Sequence, residues 1–245
     1  MRNKHIYWSF PGVLDKEFCD YVIDEGLKQS LQDGETGGQR QKKDNTTVSL
    51  EDKSWQEVKS NKIKNVHVRD SKVSWLNDKY IFDTVFSYIK AANKNAGWNY
   101  DILGCENAQF TTYNAPGGFY GWHNDGGSCH YSVYKRHIPG VTDTFVDESL
   151  KKVKSGYTMN NDLIGSVRKL SVTISLTDSS LYEGGNLKFD LGENADVENR
   201  FIECTEIRPQ GSIIVFPSYN IHQVTPVTKG TRYSLVIWYY GRPFR

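Results

Sequence analysis

Leu170-Ser171-Val172-Thr173-Ile174-Ser175-Leu176-Thr177 alternates without a break between apolar and small hydroxyl side chains. Successive side chains of an extended strand leave opposite faces, so a period of two predicts a half-buried strand with Leu170, Val172, Ile174 and Leu176 on its core side. Working outward, the same period predicts strands at about Asn107 to Tyr113, Asn186 to Phe189, Gly211 to Phe216 and Thr231 to Tyr239, separated by Gly, Pro, Asn and Asp clusters. Before Gly97 the spacing is helical instead. Asp15 is placed to cap a helix carrying Phe18, Cys19, Tyr21, Val22, Ile23 and Leu27, and a second covering helix is predicted from Trp75 to Asn93. Helices followed by many short strands predict a mainly β protein with flanking helices, and a jelly roll closes that many strands without long free edges.

Composition narrows the class. The 245 residues suit one globular domain, and 30 Lys and Arg against 29 Asp and Glu leave a formal charge of +1. A protein built for phosphate backbones carries a basic excess, so nucleic acid is not the expected partner. No apolar run approaches the ~20 residues that span a bilayer, and Met1-Arg-Asn-Lys-His5 leads into no signal-peptide core; the expectation is a cytoplasmic protein with no membrane partner. Cys19, Cys105, Cys129 and Cys204 form no C-x-x-C pair and read as free thiols of a reducing compartment. Gln32 to Thr47 reads as a solvated surface loop, and Gly126 to Val167 as an insertion that breaks the strand rhythm. Tyr131, Tyr134, Lys135 and Arg136 suit that insertion to a substrate lid, against the plainer alternatives of a solvated excursion or an oligomer contact. His130 and His137 within it read as exposed loop histidines.

Three residues carry chemistry. His123 and Asp125 stand two apart in Trp122-His-Asn-Asp125, a spacing that puts both on one side of a strand and lets them share an ion. His222, after the turn-like Phe216-Pro-Ser-Tyr-Asn220, supplies a third ligand from a distant strand. Two His and one carboxylate on one face of an octahedron leave three positions open, the arrangement of a non-haem Fe(II) oxygenase, whereas a structural zinc site closes its shell. Ten residues beyond His222, Arg232 lies inside a strongly strand-like segment, where a guanidinium needs a partner. Either an internal Asp or Glu or the far carboxylate of a dicarboxylate co-substrate would serve.

Three blocks carry a resemblance: Tyr113-Asn-Ala-Pro-Gly-Gly-Phe-Tyr-Gly-Trp-His-Asn-Asp125, Leu181-Tyr-Glu-Gly-Gly-Asn-Leu187 and His222-Gln-Val-Thr-Pro-Val-Thr-Lys-Gly-Thr-Arg232. In this order they resemble the prolyl-hydroxylase branch of the Fe(II)/2-oxoglutarate dioxygenases, and within it the bacterial and phage PKHD-type hydroxylases. The likeness is dense from Asn107 to Asp125 and from Arg168 to Tyr240, loose over the N-terminal helices and absent from Gly126 to Val167. It implies a double-stranded β-helix, cupin-like core at 107–240 within a single domain of 1–245, with residues 1–100 as a helical cover. It implies that His123, Asp125 and His222 hold Fe(II), and that Arg232 binds the distal carboxylate of 2-oxoglutarate. Tyr113 is implied as a hydrogen-bonding partner of that co-substrate. Tyr120 has a counterpart in the family and is expected to line the site, with plain core packing as the alternative, and Trp238, on the face of Arg232 by even spacing, either lines the cavity or packs into the core. O₂ is the implied oxidant, ascorbate an optional reductant, and a peptide, protein or small molecule the substrate. Where some prolyl hydroxylases add a tyrosine to the co-substrate site, the nearest match here is Ser175. Two rivals remain: an AlkB-like nucleic-acid demethylase, whose second Arg would stand where Trp238 does, and a jelly-roll binding module without turnover.

Overall fold

The computed structural model describes residues 5–34, 68–126, 166–192, 200–242 and 244. Two antiparallel sheets face each other. The larger has the order β1 (Trp8–Phe10), β12 (Ile213–Pro217), β8 (Val167–Ser175), β14 (Val227–Gly241), β6 (Ala108–Asn114), β4 (Lys72–Leu76), β2 (Gln32–Asp33), with β5 (Gly104–Cys105) and β9 (Tyr182–Gly184) also paired to β14. The smaller runs β11 (Phe201–Glu203), β10 (Leu187–Asp190), β13 (Ile221–Val224), β7 (Phe119–His123), β3 (Arg69–Asp70). This is the expected jelly roll.

The two faces of the large sheet have different jobs, and β8 shows why. Leu170, Val172, Ile174 and Leu176 turn outward onto α1 (Lys16–Lys28) and α2 (Lys79–Asn95), joining Phe18, Val22, Ile81, Val85 and Ile89 in the main core. Each such side chain, fully buried, contributes about 1.5–3 kcal/mol. Gly26 lets α1 press against the sheet, because a Cβ there would stand 2.3 Å from the Phe110 ring. The other face corrects the sequence reading. Ser171, Thr173, Ser175 and Thr177 do not meet solvent; all are buried, because this face looks into the roll toward the smaller sheet. Alternation here separates an apolar core from a polar interior.

Two boundaries also differ from expectation. Trp75 and Leu76 belong to β4 and not to the second helix, because the strand pairs with β6 along its whole length and Asp78 then starts α2. The Asp78 carboxylate accepts the backbone N–H groups of Tyr80 and Ile81, a cap that fixes the helix start two residues past the strand. Gln32 and Asp33, read as loop, pair with Val73 and Lys72 as an edge strand. The rest of that loop, and residues 127–165 of the insertion with the proposed lid groups, lie outside the described residues. Asp15 caps α1 as expected, accepting from the Phe18 N–H at 2.8 Å. Among the described residues, Cys19, Cys105 and Cys204 are unpaired, and no helix is long and apolar enough to cross a membrane.

Candidate metal centre and co-substrate cavity

The centre forms where β7 and β13 pair. His123 and His222 stand directly opposite each other in that ladder, so both imidazoles leave the same face of the small sheet, toward the interior. Asp125 is placed differently from the sequence expectation: β7 ends at His123, and Asp125 lies in a bend two residues on. Its N–H donates to the Ser218 carbonyl at 2.8 Å, Ser171 donates its hydroxyl to Oδ2 at 2.6 Å, and Arg168 reaches the Asp125 carbonyl at 3.2 Å. These bonds aim the carboxylate where strand geometry does not. The three ligand atoms lie within 4.8 Å of one another, with both Nε2 atoms 3.7 Å from the Asp125 oxygens. That separation is too long for a hydrogen bond.

The donor chemistry fits a divalent iron. His123 Nδ1 meets the Gly121 carbonyl at 2.7 Å and His222 Nδ1 meets that of Asn220 at 2.9 Å. A carbonyl only accepts, so each Nδ1 carries the proton and each Nε2 presents its lone pair to the common point beside Asp125. Electrostatics agree. Burial, then the neighbouring His222, push His123 well below the usual imidazole range. Burial opposes ionisation of Asp125, but the two histidines, Arg168 and the Ser171 hydroxyl together hold its carboxyl below the ordinary value. A neutral His123 imidazole beside an ionised Asp125 carboxylate is the state that binds metal.

This sets the sign of the acid response of metal-free protein. Below pH 6.5 the unfolded chain takes up a proton at His123 that the folded chain refuses, so stability falls as pH drops through that value, by up to about 1.4 kcal/mol per pH unit. Asp125, depressed in the fold, extends the loss at more acid pH. Urea midpoints of metal-free protein from pH 7.5 to 5 should fall accordingly, and a His123→Phe variant should lose most of the slope. Equal slopes would remove His123 as its source.

Tyr120 reaches the interior through an irregularity. Val224 pairs with Tyr120 and His222 with His123, so two steps on β13 match three on β7, and a bulge turns residues three apart to the same side. The Tyr120 ring then stacks on His123, centroids 3.4 Å apart, with the Arg69 guanidinium over its other face at 4.5 Å. Burial pushes its phenol up to about 12, so it carries its proton. Tyr113, Tyr120 and Trp238 all line the cavity at the metal site, together with Gln109, Thr173 and Arg69. Trp238 and Arg232 lie on one face of β14; the indole is stacked beneath Arg168 at 4.1 Å, and its N–H has no partner among the described residues.

Arg232 is the most telling residue. It is 1% exposed, and Nε, Nη1 and Nη2 all lack a partner among the described residues. Its guanidinium lies 5.5 Å from the Tyr113 ring, beside the small cluster of Tyr113, Val224 and Val227. A fork of that kind, buried and unmatched, fits the carboxylate of a ligand that completes the site. Sequence reasoning missed Ser171, Ser218, Arg168 and Glu106, which support Asp125: the last two form a bidentate pair at 2.5 and 2.6 Å. The polar row of β8 was the available signal.

Fold, ligand triad and orphan arginine together define a class. Residues 108–240 match the family described as the 2OG-Fe(II) oxygenase superfamily, and the chain belongs to it. Within that family, a PKHD-type hydroxylase of Synechococcus sp. (strain CC9311) is 39% identical over 105 residues, covering 41% of this chain and 43% of that protein. The chain thus spans less than half the length of the curated relatives it matches. Among solved structures, the viral collagen prolyl hydroxylase of Paramecium bursaria Chlorella virus-1, in its 2OG complex, superposes with a TM-score of 0.54 at 15% identity over 97% of both chains. A prolyl hydroxylase from Trichoplax adhaerens, in complex with a hypoxia inducible factor peptide, gives 0.52 at 15% identity over 97% of this chain and 84% of that one. At such identity these two show the fold.

Proposed function

We propose that this chain is an Fe(II)- and 2-oxoglutarate-dependent dioxygenase that hydroxylates a peptidyl prolyl or similar side chain. The observation that carries the reading is Arg232, a buried and unpartnered guanidinium sharing a roll with an inward-facing His-Asp-His cluster. His123, Asp125 and His222 would hold the iron; when bound, iron, 2-oxoglutarate and O₂ supply oxidative decarboxylation to succinate and CO₂ coupled to oxygen insertion into a substrate C–H bond.

The chain's own residues bind and orient. Arg232 takes the distal carboxylate through its fork. Ser175 is the second contact: it stands opposite Ser234, one diagonal step from Arg232 on the interior face, and its buried hydroxyl has no partner among the described residues. Thr177 is already engaged, accepting the Tyr233 N–H at 2.7 Å. Tyr113 flanks the co-substrate, Tyr120 keeps the His123 ring in place, and Trp238 offers a free N–H to the cavity. Trp238 also stands where a demethylase reading needs a second arginine, which favours hydroxylation. An intact His123, Asp125 and His222 cluster beside Arg232 favours turnover over a jelly-roll binding module. The one domain, with its insertion at 126–167, acts in the cytoplasm on a peptide, a protein or a small molecule.

The test is incubation of anaerobically reconstituted Fe(II) protein with 2-oxoglutarate, O₂ and a proline-containing peptide library. Expected are succinate and a peptide mass gain of one oxygen. Demethylation of alkylated oligonucleotides with no peptide oxidation would move the assignment to the rival reading.

A further inference from the structure

We infer that Arg208 is a positioning residue for the co-substrate end of the site, acting on Arg232 through the turn that carries Gly185; this rests on the functional reading above. Arg208 follows the short 3-10 turn Thr205–Ile207 between β11 and β12; neither it nor the buried Arg232 lines the cavity at the metal site, and Arg232 lies behind the Tyr113 wall. Its guanidinium lies over the Tyr182 ring at 4.5 Å. Nη1 donates to the Gly184 carbonyl at 2.9 Å and to Asn186 Oδ1 at 3.4 Å, and Nη2 to the Ser179 carbonyl at 3.5 Å. All four partners belong to residues 179–186, so one planar fork ties the short 3-10 helix Ser179–Leu181, β9 and the turn after it, most closely at Gly184.

The inner side of that turn is the wall against which Arg232 lies. A Cβ at Gly185 would stand 2.8 Å from Arg232 Cδ and 3.0 Å from Val227 Cγ2, and Gly185 has φ +62°. Only a bare backbone fits there. The Arg232 fork has no polar partner among the described residues to aim it, so its direction is set by packing: the Gly185 backbone beside its stem and the Tyr113 ring 5.5 Å from its guanidinium. A long, rotamer-rich side chain presents its donors in one place only while those walls stand still. Gly184 and Gly185 both have positive φ; Gly184 pairs with Val227 and the Gly185 N–H donates to the Pro226 carbonyl at 3.1 Å, and Arg208 adds a tie from the β11–β12 connection to the Gly184 carbonyl. The two arginines therefore bracket one turn.

Arg208→Met keeps a side chain over Tyr182 and removes the fork. Calorimetric titration of 2-oxoglutarate into the full chain, loaded anaerobically with Fe(II), should show affinity weakened roughly tenfold, in line with losses at supporting partners of bound groups, with Fe(II) affinity nearly unchanged. Arg208→Lys should recover part of the loss, because an ammonium restores charge without the fork. In an Arg232→Met background, Arg208→Met should weaken binding no further, since its effect travels through Arg232. Wild-type co-substrate affinity in Arg208→Met, or the same extra loss in both backgrounds, would overturn the inference and leave Arg208 a stabilising contact only. If Arg208→Met fails to fold, Arg208→Lys and Tyr182→Leu carry the same comparison. Wild-type protein that takes up iron but no 2-oxoglutarate would overturn the functional reading together with this one.

Discussion

Arg232→Met should weaken 2-oxoglutarate binding roughly 100- to 3,000-fold and leave Fe(II) binding within about twofold, because removing one charge of a buried pair costs about 3–5 kcal/mol and each 1.4 kcal/mol is tenfold. The same variant should be more stable than wild type when no co-substrate is present. Arg232 is 1% exposed and none of its three guanidinium nitrogens has a partner among the described residues, so the free protein holds a desolvated charge that methionine removes. The two effects have opposite signs, and together they separate a ligand-binding arginine from a structural one. An internal salt bridge predicts that the variant melts earlier and binds 2-oxoglutarate as before. Thermal unfolding with and without co-substrate, read beside a binding titration, decides between them.

Asp125→Ala should abolish stoichiometric iron uptake and all succinate formation. The carboxylate stands 3.7 Å from Nε2 of each histidine, and no other Asp, Glu, His or Cys among the described residues joins that cluster. Even supporting partners of metal ligands cost about 10–100-fold in affinity, and a ligand itself costs more. Iron per chain after anaerobic dialysis gives the readout. One retained iron with normal turnover would show the triad to be misassigned.

Much of this was legible in the sequence because the two periodicities are nearly undisturbed. The alternation at Leu170 to Thr177 and the spacing from Asp15 to Leu27 each report one repeating geometry, and both elements are found there. The triad was legible for a different reason: its residue types and order suffice, even though Asp125 reaches the site from a bend and not along a strand. What stayed hidden depends on partners remote in the chain. Trp75 and Leu76 fit a helical pattern until β6 is present to pair with them. Ser171 and Thr173 resemble a solvent face until the second sheet covers them. The bulge that turns Tyr120 onto His123 exists only in the pairing of β7 with β13, and Arg208 meets Gly184 from 24 residues away, past β10 and β11. Local pattern records local geometry, and these contacts are not local.

The most direct measurement is a crystal structure of the protein soaked anaerobically with Fe(II) and 2-oxoglutarate. The account predicts one metal bonded to His123 Nε2, an Asp125 carboxylate oxygen and His222 Nε2, with the far carboxylate of the co-substrate against the Arg232 fork and the Ser175 hydroxyl. A metal held by other residues, or an Arg232 turned onto a carboxylate of its own chain while 2-oxoglutarate lies elsewhere, would contradict it.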